Sequence, residues 1–154
     1  RGMDTVTIVG FNYRMTEMQA IVGKEQLKKL NLIINENKKR YLALENYLKR
    51  KVELRVVPKN TKQIYDTLII TVKNKYLRKK IVKLLNYEKF GTKNLPDAIK
   101  WHCAYFWKHA LPKAQINRIK KTKNILEKSI AIPIWLKKTP KDYKNLGKKI
   151  SKYF

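Results

Sequence analysis

Asn12, Tyr13 and Arg14 stand just before a helix start, in the stretch Gly10-Phe11-Asn12-Tyr13-Arg14-Met15-Thr16-Glu17-Met18-Gln19. A helix N-terminus carries unpaired backbone N–H groups and the positive end of the helix dipole, so it favours an anion. Asn12 can donate its amide to a phosphate oxygen, and Arg14 can add charge. The same residues serve equally well as a turn support and a solvated cation. Residue types alone leave both an anion site and a plain turn open.

Other constellations are weaker. Trp101-His102-Cys103-Ala104-Tyr105-Phe106-Trp107-Lys108-His109 is dense in aromatics. Such rings can stack on bases. The favoured reading packs Trp101, Ala104, Tyr105 and Phe106 between a helix and a sheet, with a ring or two left for a pocket wall. His102, Cys103 and His109 are near one another, but two His and one Cys show no ligand spacing, and no metal site is expected. The five glycines are scattered, so no phosphate-cradling loop is present, and no paired carboxylates suggest an acid/base couple.

The chain has 154 residues, enough for one core. It holds 37 Lys and Arg against 11 Asp and Glu, a formal net charge of +26. That balance raises a basic nucleic-acid-binding module as the alternative function, since counterion release rewards a cationic surface. Against it, the cations are mostly Lys, spread along the whole chain, and Arg with its bidentate fork is scarce. Abundant Lys, Asn and Ile fit compositional drift better. No charged leader precedes an apolar stretch, and no apolar run nears the ~18 residues of a membrane helix. With a single cysteine, Cys103, the expectation is a cytoplasmic, reducing setting and no membrane partner.

The elements that must position these residues follow from periodicity and punctuation. Thr16 and Gln19 form a capping-box pattern opening a helix with Met18, Ile21, Val22, Leu27 and Leu30 at helical spacing. A straight helix to Arg50 would reach about 50 Å, too long for this domain. A break is expected near Asn31, itself a plausible cap. Leu54 to Val57 and Ile64 to Val72 read as strands pairing antiparallel across the turn Pro58-Lys59-Asn60-Thr61. Asn74 caps a helix to about Asn86. Phe90-Gly91-Thr92 reads as a strand end, and Asn94-Leu95-Pro96-Asp97 opens a further segment. Lys113 to Lys128 reads as one helix, Ser129 to Trp135 as a buried strand, and Thr139-Pro140-Lys141-Asp142 as the start of the last helix. The expected fold is α/β, in an α+β-like arrangement: a helical lead-in and a small mixed sheet with helices.

GFNYRMTEMQAIVGKEQLKKLN resembles a motif of the DegT/DnrJ/StrS sugar aminotransferases: Gly-x-Asn-x-Arg, then Met or Leu, Ser or Thr, and Glu, then a helix with Gly and Gln-Leu, then a second helix. Gly10, Asn12, Arg14, Met15, Thr16, Glu17, Gln19, Ala20, Gly23, Gln26 and Leu27 carry the likeness. Ser129 to Ile134 resembles that family's strand before its last helix. Gly91 to Ala98 with Trp101 to Ala104 and His109 resembles the subgroup of 8-amino-3,8-dideoxy-octulosonate transaminases. The resemblance covers essentially the whole chain.

The resemblance implies the C-terminal portion of a pyridoxal-phosphate enzyme of aspartate-aminotransferase-like fold. Residues 1–50 would end the large domain and supply interdomain and dimer-interface helices; residues 51–154 would form the small C-terminal domain. The whole enzyme would be a homodimer passing an amino group, usually from glutamate, to a keto-sugar used in cell-surface polysaccharide or lipopolysaccharide synthesis. Asn12, with Arg14 beside it, would reach the cofactor phosphate held by the other subunit. Lys93, Asn94, Trp101 and His102 would help line the sugar pocket. The family's Schiff-base lysine lies upstream and maps onto no residue here. The resemblance therefore implies no catalytic residue in this chain and no activity for it alone. The start at Arg1, without a methionine, agrees with the expectation of a truncated sequence.

Overall fold

The computed structural model describes residues 15–154. Two compact units divide the chain, residues 1–32 and 33–154.

In the first unit, α1 spans Glu17–Lys28. Its start is the capping box read from the sequence: Gln19 N–H donates to Thr16 Oγ1 at 3.3 Å, and Thr16 N–H to Gln19 Oε1 at 2.9 Å. The helix buries none of its residues; Met18, Ile21, Val22 and Leu27 are all exposed. It ends at Lys29, where the backbone N–H turns back to Gln26 O. The expected break therefore falls two residues early, and Asn31 lies inside the next helix, α2, Leu30–Leu48.

The second unit is built on three strands, β1 (Glu53–Leu54), β2 (Thr67–Thr71) and β3 (Ser129–Pro133), in the order β1-β2-β3. Both pairings are antiparallel, so the sheet is not mixed as expected. Alternation reveals that a strand exists, not which way its neighbour runs. Register, by contrast, follows from burial: Leu68 opposes Ile132 and Ile70 opposes Ile130, which puts all four side chains into the core. β2 starts three residues later than expected because Tyr65 has φ 58°, which breaks the extended run.

Helices cover the core face. Tyr41, Leu44 and Leu48 of α2 meet Ile81 and Leu85 of α3 (Lys75–Tyr87) and Tyr143, Leu146 and Ile150 of α7 (Pro140–Ser151). Asn74 caps α3 by accepting from Leu77 N–H at 2.9 Å. Thr139 and Asp142 form a second capping box at α7, with Pro140 in its first turn. Gly147 lets α7 approach α2: a Cβ there would sit 2.9 Å from Tyr47 Cβ. Gly147→Ala should gain up to ~1 kcal/mol of helix propensity and lose about 1–3 kcal/mol to overpacking. The expected net is a lower denaturant midpoint at unchanged m-value.

Between α3 and β3 the chain departs from expectation. Lys89 and Gly91 take positive φ, 58° and 67°; the chain turns at Glu88-Lys89, and Phe90-Gly91-Thr92 is irregular and not a strand end. Short helices follow: α4 (Ile99–His102), a 3₁₀ turn (Ala104–Phe106), α5 (Lys113–Arg118) and α6 (Lys120–Leu126). The single helix expected over Lys113 to Lys128 is broken at Ile119, whose N–H bonds to Ile116 O.

Candidate functional site

β3 is the edge of the sheet, and an open edge invites unwanted pairing. Here the segment Lys93–Leu95 covers it. Lys93 N–H donates to Ala131 O at 2.9 Å, and Ala131 N–H donates to Leu95 O at 3.0 Å. All five β3 residues are buried. Asn94, held in this clasp, adopts φ 62°, and its carbonyl accepts from Ala98 N–H at 3.0 Å. Asn tolerates the left-handed region where a β-branched residue does not. Asn94→Val should cost about 1–2 kcal/mol, read as a lower melting midpoint, whereas Asn94→Gly should leave stability nearly unchanged.

The clasp and the loop from Pro58 to Asp66 form the walls of an open groove of about 490 Å³. Arg55, Lys62, Tyr65, Asp66, Lys93 and Asn94 are among its lining residues. Lys93 Nζ lies 2.5 Å from Asp66 Oδ2, and both side chains remain partly exposed. An exposed pair of this kind is worth little in free energy. An incoming anion can therefore take Lys93 from Asp66 at small cost, freeing the carboxylate to accept hydroxyl donors. Thr61 and Gln63 add neutral polar groups to the same wall. Tyr65 is fixed from below by an edge-to-face contact with Tyr41, ring centroids 5.3 Å apart. A polyhydroxylated ligand carrying negative charge suits this lining.

Of the residues singled out in the sequence, Lys93 and Asn94 meet in this groove. Trp101 and His102 do not line it. Both lie exposed on α4, and Trp101 belongs to a separate shallow hollow from Pro96 to Trp101. Trp101 is 78% exposed, which corrects its expected place in a helix–sheet core. The physical reason is the shortness of α4: one turn buries no face, and Cys103 alone of this run is buried. Trp107 Nε1–H instead donates to Trp101 O at 3.0 Å, binding the aromatic segment to itself. Asn12 and Arg14, expected at the cofactor phosphate, lie outside the described residues. Among the described residues no group of three or more His, Cys, Asp or Glu could hold a metal ion. Likewise, no described helix is long and apolar enough to cross a membrane.

Sequence reasoning missed Tyr65 and Asp66, which it placed in a strand. No local signal marks Tyr65 as left-handed. Asp66 becomes a site residue only because Lys93, 27 positions later, is brought to it.

A three-stranded antiparallel sheet under helices, with a groove of mixed charged, polar and apolar lining at its covered edge, defines a small α/β unit. Residues 2–151 match the model of the DegT/DnrJ/EryC1/StrS aminotransferase family, and the chain belongs to that family. No curated protein matches the chain.

Proposed function

We propose that this chain is the C-terminal part of a pyridoxal-phosphate-dependent aminotransferase that aminates a keto-sugar, of nucleotide-sugar or octulosonate type. The observation that carries this reading is the groove bearing Lys93, Asn94 and Asp66 on a chain of this family. Lys93 would hold the acceptor's negative charge, Asp66 its hydroxyls, and Asn94 the rim against which the sugar rests. Trp101 and His102 would contribute from α4 as an outer wall. Pyridoxal phosphate, when bound, supplies the electron sink for amino transfer. Asn12 and Arg14 would hold its phosphate across a homodimer interface. Glutamate is the proposed donor, the cytoplasm the proposed site of action, and cell-surface polysaccharide or lipopolysaccharide the destination of the product.

Residues 1–50 would serve as interdomain and dimer-interface helices, meeting the small domain of residues 51–154 through the second half of α2. The wholly exposed apolar residues of α1 support that assignment, since such a face is built to be covered.

The test uses the whole enzyme that carries this chain. Lys93→Ala and Asn94→Ala should each raise KM for the keto-sugar about tenfold, the loss of ~1.4 kcal/mol of binding. The half-reaction with glutamate alone should keep its rate. Unchanged sugar KM in both variants, with the fold intact, refutes the groove as the acceptor wall.

A further inference from the structure

A second hollow, of about 440 Å³, lies along α3 and shares no lining residue with the groove. Its floor is apolar: Val82 from α3, with Pro96 and Ile99 across from it. Lys75, Arg78, Lys79 and Lys83 rim it. Lys75, Lys79 and Lys83 are four residues apart and so occupy one ridge of the helix, about 6 Å from one to the next. Arg78 and Val82 form the neighbouring ridge.

The charges on this rim are unevenly satisfied. Lys75 Nζ pairs with Glu127 Oε2 at 2.9 Å. Arg78 is nine-tenths buried, yet among the described residues its one acceptor is Glu127 O, 2.6 Å from Nη1. Its Nε is buried with no partner. Desolvation pulls the Arg78 pKa below the usual guanidinium value, with Glu127 and Asp97 opposing the shift. Neither carboxylate is paired with Arg78, Lys79 or Lys83. Glu127 is shared between Lys75 and Lys123, and Asp97 accepts from Thr92 Oγ1. Lys79 and Lys83 have no acidic partner among the described residues. A buried, under-bonded guanidinium beside two unpaired ammonium groups and an apolar floor presents the two halves of one recognition pattern. Its volume falls in the range of small-molecule sites, roughly 300–1,000 Å³, which combine apolar walls with a few convergent polar groups.

We propose that this hollow binds a small amphiphilic anion, an organic carboxylate whose head sits among Arg78, Lys79 and Lys83 and whose hydrocarbon body lies on Val82, Pro96 and Ile99. The guanidinium fork suits a carboxylate better than a point charge would. The head alone would be weakly held at so exposed a rim, and the body alone would leave the cations unused, so affinity requires both.

Decanoate, kept below its micelle concentration, serves as the probe, with decanol and acetate as the body-only and head-only controls. Amide chemical shifts of the ¹⁵N-labelled chain report the site. Decanoate should produce saturable shifts confined to Val82, Ile99 and their neighbours, weakening as salt is added. Decanol and acetate should each bind at least tenfold more weakly. Lys79→Gln with Lys83→Gln, both at the surface, should weaken decanoate about tenfold without altering the spectrum elsewhere; Ile99→Ser should do the same by removing the floor. Shifts spread over the surface without saturation overturn the proposal. So do equal affinities for decanoate and decanol, and so does indifference to both sets of substitutions.

Discussion

Arg40→Met should lower the stability of the chain by about 3 kcal/mol, the combined loss of charge-assisted bonds and of acceptors left unsatisfied. Arg40 projects from α2 and is nearly buried. Its Nε donates to Lys138 O at 2.6 Å and its Nη2 to Leu136 O at 3.3 Å. Its Nη1 donates to Glu36 O at 2.7 Å and to Glu36 Oε2 at 2.8 Å. One guanidinium thus ties α2 to the turn between β3 and α7, nearly a hundred residues away. Methionine keeps most of the aliphatic stem, so the variant isolates the polar loss from packing. Arg40→Lys should recover only part of the loss, because an ammonium cannot reach the carbonyls with a fixed fork.

The partners of Arg40 are not equal. The Glu36 carboxylate is far more exposed than Arg40 and also contacts Lys39 at 2.5 Å. Hydrogen bonds from Lys39 and then Arg40 hold its pKa below the ordinary value. Glu36→Gln should therefore shift the thermal midpoint far less than Arg40→Met. Equal shifts would mean that the ion pair, and not the carbonyl contacts, carries the stabilisation. Thermal and chemical denaturation of the three variants decide the matter.

Tyr143→Phe should cost about 2 kcal/mol, from leaving buried partners without their hydrogen bonds. The Tyr143 ring is fully buried in α7, edge-on to Phe90 at 5.1 Å. Its hydroxyl donates to Pro133 O at 3.0 Å and accepts from Trp135 N–H at 2.6 Å. Both backbone groups belong to the chain leaving β3, which lacks a further strand to satisfy them. Phenylalanine preserves the ring and removes only the link.

Burial pushes the Tyr143 pKa up from 10.0 to about 12. The folded state therefore holds the phenol proton more tightly than the unfolded state does. The stabilisation is complete below pH 10 and is lost as pH rises from 10 toward 12. Comparing wild type with Tyr143→Phe cancels the titration of the many lysines to first order. The difference in unfolding free energy should hold steady from pH 7 to 9 and shrink above 10. A difference that grows above pH 10 would place the phenolate, not the phenol, in the native state.

Much of the local structure was legible in the residues. Thr16, Asn74 and Thr139 were read as caps and are caps, because a cap depends on residues within one turn of it. The buried strand at Ser129 was visible as an apolar run, expected as far as Trp135 and ending at Pro133. The antiparallel pairing of the first two strands followed from the turn between them. Family membership rested on a contiguous motif, and a contiguous motif survives without any knowledge of packing.

What the tertiary structure decided is whatever joins distant positions. The expected helix–sheet packing of Trp101 failed because aromatic density says nothing about whether a helix will be long enough to bury a face. The register of β3 against β2 required knowing which face of β2 the helices cover. The groove exists because the uncovered edge of β3 is closed by Lys93–Leu95, which carries Lys93 to Asp66. The link through Arg40 exists because α2 packs beside the start of α7. Caps, strands and motif are written within a few residues of one another, where backbone hydrogen bonds and side-chain spacing act. The site is formed by contacts across tens of residues, and only burial of the common core brings those residues together.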